Sequence, residues 1–98
     1  MITVTGTFVT GIEVDGKHHK AFTLRAGKVR DSVEALEELG ADASGSRLRY
    51  ATLARRLTVE GIDQVTTDMV LDLSDPDGLQ LELKADELEK NSSGLKSD

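Results

Sequence analysis

Two histidines stand side by side at 18 and 19, and they are the residues best equipped to bind a transition metal. They sit in a stretch that reads as extended chain, where neighbouring side chains point to opposite faces and cannot share one ion. No third ligand lies nearby, so no metal is expected there. The run Asp72-x-Ser74-Asp75-x-Asp77-Gly78 resembles a calcium loop. Setting Gly78 at the sixth loop position puts Leu73 first and Lys84 twelfth, where carboxylates are required. Those aspartates read as turn formers and helix caps. The serines fall mostly in loops or the tail, with no Gly-x-Ser-x-Gly turn and no phosphate-cradling glycine loop. Glu37-Glu38 and Asp86-Glu87 are adjacent on expected helices and face different ways, which makes them solvated surface. The expectation is a protein without catalytic residues, metal or cofactor, and not an enzyme.

Composition narrows the class further. The 98 residues allow one domain, and the chain has no cysteine, which removes disulfides and thiolate chemistry and suits a reducing cytoplasm. Residues 1–56 carry nine Lys/Arg against seven Asp/Glu, and residues 57–98 carry three against eleven, leaving a net charge of −6. Phosphate backbones are bound by clustered cations, so an acidic chain with 3% aromatic residues is a poor nucleic-acid binder. No stretch has membrane-spanning length, and the opening residues lack a basic segment followed by an apolar run. A soluble, unexported protein is expected.

The elements that would carry these residues are legible from period and punctuation. Ile2, Val4, Phe8, Ile12 and Val14 fall on alternate positions, and Lys17 to Arg25 offers a second strand with Phe22 and Leu24 on one face. Asp15-Gly16 marks the turn between them. A two-residue loop would pair Val9 with Phe22 and split the apolar faces. A three-residue loop, Val14-Asp15-Gly16, sets Phe8 opposite Phe22 and Ile12 opposite His18, and that register is preferred. Gly6 and Gly11 mark bulges or a bend in the first strand.

Val29, Val33, Leu36 and Leu39 have helical spacing and end at Gly40, giving a helix over 28–39 that starts at Gly27 or at a capping-box-like Asp31. Ser46 caps a second helix over 47–57, with Tyr50, Leu53, Ala54 and Leu57 along one face. Thr66 or Thr67 caps a short helix over 66–73 that buries Val65, Met69 and Leu73. Asp75-Pro76 then opens a last helix over 76–90. The alternation of Leu79, Leu81 and Leu83 also fits a strand, but the absence of β-branched and aromatic residues there favours helix. The expected fold is α+β: an N-terminal β-hairpin over about 2–25, three to four short helices, one domain over 1–90 and a disordered tail over 91–98.

On the last helix, Leu79 and Leu83 form one stripe, while Leu81, Ala85 and Leu88 form a second on nearly the opposite side. A small core needs only one of them. The other is a candidate partner-binding surface of the helix-in-groove kind: Leu81, Ala85 and Leu88, or the opposite pair Leu79 and Leu83.

Three stretches resemble the tail assembly chaperones of long-tailed bacteriophages, in particular the small Mu-like group. They are Phe22-x-Leu24-Arg25 leading to a helix with Asp31, Leu53-Ala54-x-x-Leu57-Thr58-x-x-Gly61, and Val65-Thr66-x-Asp68-Met69-Val70-x-x-Leu73. With the acidic turn and apolar helix that follow, the resemblance spans about residues 17 to 90. Ala26-Gly27 departs from the acidic residue and proline that follow the Leu-Arg pair in that family. The resemblance implies a protein of the bacterial host cytoplasm that binds the phage tape measure protein. It would keep that client soluble until tail tube protein polymerises around it, and a longer product could arise by ribosomal frameshifting. Other readings are a small structural component of a phage tail or neck, or a regulatory protein-binding adaptor.

Overall fold

Asp15 and Gly16 take positive φ values of 53° and 79° and close a two-residue hairpin turn, the geometry that matches the twist of the flanking strands. The strands are β1 (Thr3–Val14) and β2 (Lys17–Arg25). The computed structural model describes residues 2–93, with side chains for residues 2–90. Beside the turn the partners are Val14 with Lys17, Glu13 with His18 and Ile12 with His19. The three-residue loop expected from the sequence is therefore not formed, and Ile12 faces His19 instead of His18.

The mismatch of apolar faces is resolved inside β1. The register jumps between Thr7, paired with Ala21, and Ile12, so residues 8–11 bulge out of the ladder and Gly6 becomes the backbone partner of Phe22. Phe8 is not opposite Phe22 in the ladder, yet the rings stack with centroids 4.3 Å apart and planes inclined by 22°. Glycine at 6 leaves room for that stack, because a β-carbon there would lie 2.5 Å from Phe22 Cζ. Gly11 takes φ 83° where the bulge re-enters the ladder, and a β-carbon there would run into the backbone oxygen of His19.

A third strand, β3 (Leu57–Val59), pairs antiparallel with β2 and places β2 at the centre of the sheet. Helical spacing alone assigns Leu57 to the preceding helix. Three residues are too few for alternation to show, and Leu57 is already extended at φ −101° and ψ 131°.

Four helices cover the rest: α1 (Val29–Leu39), α2 (Gly45–Arg56), α3 (Thr67–Leu71) and α4 (Asp75–Ser93). Ser44, not Ser46, caps α2, its hydroxyl accepting the N–H of Arg47 at 3.2 Å. Thr66 caps α3 through the N–H of Met69 at 3.2 Å. The Asp75 segment is a helix, as its composition indicates, and it continues through Ser93; the remainder of the expected tail lies outside the described residues.

The apolar cluster draws Phe8 and Ile12 from β1, Phe22 and Leu24 from β2, and Leu57 and Val59 from β3. Against these pack Leu53 and Ala54 of α2, Val65, Val70 of α3, and Leu81, Ala85 and Leu88 of α4. Val70 is the deeply buried residue of α3, while Met69 and Leu73 lie partly buried at the cluster's edge. Nothing from α1 enters this cluster.

Candidate functional site

The most buried polar side chain is Asp77, which is 0% exposed. It stands in the first turn of α4 and reaches the β1 bulge, where its carboxylate accepts the N–H groups of Val9 at 2.6 Å, Thr10 at 3.0 Å and Gly11 at 2.9 Å. The bulge removes these N–H groups from the sheet ladder, and the carboxylate supplies the acceptors they lose. Burial pushes the Asp77 pKa up, but the bonds from Gly11, Val9, Thr10 and Ser74 outweigh it and hold the carboxyl below its ordinary value. Asp77 is structural: it fastens the last helix to the first strand.

A second buried carboxylate anchors α1. Asp31 accepts from both Nη atoms of Arg25, at 2.7 and 3.0 Å, and from the backbone N–H of Lys28 at 2.7 Å. The Arg25 bonds lead in lowering its pKa, against the opposing effect of burial. Further along α1, Glu38 pairs with Arg55 of α2 at 2.8 Å and Glu34 with the same guanidinium at 3.7 Å. Between α2 and α4, Glu82 accepts from Arg49 Nε at 3.0 Å and from the Tyr50 hydroxyl, which lowers the Glu82 pKa and raises that of Tyr50.

These attachments decide which helix faces meet solvent. On α4 the stripe of Leu81, Ala85 and Leu88 is fully buried, whereas Leu79 is 60% and Leu83 59% exposed. Of the two candidate partner surfaces, the first therefore belongs to the core and the second is available.

On α1 the inward face is Asp31 and Ala35, and the apolar stripe points outward: Val29 is 82%, Val33 48% and Leu36 47% exposed. The side that α1 buries was chosen by the Arg25 and Arg55 attachments, with Ala35 allowing close approach to α2. The exposure of this apolar side is the feature that periodicity alone missed. The sequence carried one signal of it. Lys28 and Arg30 stand at the start of α1 and Glu37 and Glu38 at its end, the reverse of what the helix dipole favours, with Asp31 in the first turn as the exception.

The histidines do not converge on a site. His18 is exposed with Nδ1 3.1 Å from the Thr10 carbonyl oxygen, and His19 lies partly buried against Gly61. Among the described residues there is no cluster of three His, Cys, Asp or Glu suited to a metal. Asp72 and Asp75 are exposed, while Asp77 is turned inward to the bulge. A crevice of about 590 Å³ opens between the start of α1, α2 and the end of α4, with Lys28, Arg49, Arg56 and Glu89 on its walls. Arg56 is 6% exposed, donates through Nε to the Arg25 carbonyl at 3.0 Å and leaves Nη2 without a hydrogen-bond partner among the described residues. Burial holds its pKa below the ordinary guanidinium value. The hydroxyl-bearing side chains on its walls are Ser32 and Thr52.

Among the described residues, no helix is long and apolar enough to cross a membrane. No protein family, curated protein or solved structure matches the chain.

Proposed function

We propose that this protein is a phage or prophage tail assembly chaperone, a non-enzymatic binder that keeps the tape measure protein soluble until tail tube protein assembles around it. The observation that carries the reading is the outward pair Leu79 and Leu83. They stand one turn apart on a helix whose opposite face already fills the core, so they contribute little to folding and are free to bury a partner's apolar stripe. The sequence resemblance across residues 17–90 supplies the partner's identity. The surroundings suit such a client: Asp75, Asp86 and Glu87 are exposed on the same helix, favouring an amphipathic helix with basic flanks. The net charge of −6 keeps a complex dispersed in the host cytoplasm.

The test is co-expression with the tape measure protein from the same locus. The expected result is a larger soluble fraction of client that co-purifies with the chaperone. Leu79→Ser with Leu83→Ser should abolish co-purification while leaving the chaperone folded. A client that stays insoluble beside the parent protein ends the chaperone reading. A double variant that holds the client as well as the parent does removes the stripe as its binding surface.

A further inference from the structure

We propose that the outward stripe of α1 pairs with the same stripe of a second copy of this chain, antiparallel, about a two-fold axis that passes beside Val33. Val29, Val33 and Leu36 lie one turn apart in succession and are 82%, 48% and 47% exposed, and no α1 residue joins the apolar cluster. A helix held to its own domain by charged contacts and one alanine has its whole apolar side left for a partner.

The charges say which partner. Asp31 in the first turn of α1 is taken up by Arg25 and Glu38 near its end by Arg55, which leaves Lys28 and Arg30 as the outward charges of the start and Glu37 as that of the end, an order opposite to the one the helix dipole favours. Placed antiparallel to an identical helix, the basic start of each copy lies against the acidic end of the other. At roughly 100° per residue, Arg30 and Glu37 fall on the same flank of the stripe, with Ser32 and Leu39 on the other flank. A two-fold antiparallel pair brings like flanks together. Arg30 of each copy then meets Glu37 of the other, twice by symmetry, while Val29 meets Leu36 and Val33 meets Val33.

Both charges can serve in this way. The Arg30 side chain is 79% exposed and, among the described residues, its ion pair is with Glu34 at 3.7 Å, and Glu37 is exposed with no ion pair to the described residues. A parallel pair would set Arg30 and Glu37 against Ser32 and Leu39, with basic ends together, and has no such complementarity. The surface is separate from the Leu79 and Leu83 pair and does not depend on the client reading.

The experiment is sedimentation equilibrium of the full chain without any client, across the micromolar range, with circular dichroism melts to verify that each variant folds. The parent should be a reversible dimer. Val33→Lys should make it monomeric, and Arg30→Glu should weaken it by about tenfold, because two attractive contacts become repulsive. Combining Arg30→Glu with Glu37→Arg should restore the parent's association.

The chain has no cysteine of its own, so direction can be read directly. Val29→Cys mixed with Leu36→Cys should form a mixed disulfide, and neither variant should cross-link alone. A monomeric parent, a dimer that survives Val33→Lys, or self-cross-linking of Val29→Cys overturns the proposal. If Val33→Lys does not fold, the charge exchange decides: failure of the double exchange to restore association overturns it equally.

Discussion

Replacing Asp77 should be costly even when the change is conservative. Its two oxygens divide three donors: Oδ1 takes Val9 N–H, and Oδ2 takes those of Thr10 and Gly11. In Asp77→Asn the single carbonyl oxygen can keep the Thr10 and Gly11 pair, but the amide nitrogen then points a donor at the Val9 N–H. One charge-assisted bond is lost and a donor faces a donor out of water, a cost of about 2–3 kcal/mol. Asp77→Ala abandons all three donors and should cost about 4 kcal/mol. For a domain of this size the larger figure lowers Tm by about 15–30 °C.

The pH dependence has a fixed sign. The folded carboxyl titrates below its ordinary value of 3.8, so its contribution is complete above that value and is lost as pH falls through the folded pKa. Urea unfolding followed by circular dichroism at neutral pH and at stepwise lower pH measures both effects. The gap between the parent and Asp77→Asn should narrow in acid. A variant within about 0.5 kcal/mol of the parent at neutral pH, or a gap that ignores pH, would refute the reasoning.

Two further substitutions test the packing. Leu81→Ala and Leu88→Ala should each cost about 2–5 kcal/mol in urea unfolding, whereas Leu79→Ser and Leu83→Ser should each stay within about 0.5 kcal/mol, because only the first pair is buried. Gly11→Ala should lower stability by more than about 2 kcal/mol, since it forces a β-carbon both into a left-handed conformation and onto the His19 carbonyl. A thermal melt unchanged from the parent would show that the bulge relaxes freely.

The elements were legible in the sequence where local chemistry decides them. Asp15-Gly16 marks the hairpin turn although not its two-residue length, Gly40 ends α1, one of the two candidate threonines, Thr66, caps α3, and the composition from Leu79 to Lys90 identifies α4 over the competing strand pattern. What stayed hidden depends on residues far apart. The register of β1 follows from a bulge whose N–H groups need Asp77, and nothing within residues 2–25 reveals that a carboxylate will arrive from residue 77. The inward face of α1 follows from Arg25 and Arg55, which overrule the hydrophobic period of the helix itself. The two leucine stripes of α4 were visible as a pair, but choosing between them required knowing that Asp77, on the same side as Leu81, points at β1.

The grip of Asp77 on residues 9 to 11 also bears on how the chain matures during synthesis. The N-terminal strands leave the ribosome first, yet the three amide groups of the bulge have no protein acceptor until residue 77 has followed them out. Before then, a bulged hairpin must leave those amides to water, and an unbulged one splits its apolar faces, so neither early form has the native packing. Contacts separated by 66 to 68 residues thus tie completion of the first strand to arrival of the last helix. The domain is therefore expected to consolidate as a whole and late, and not strand by strand as it is translated.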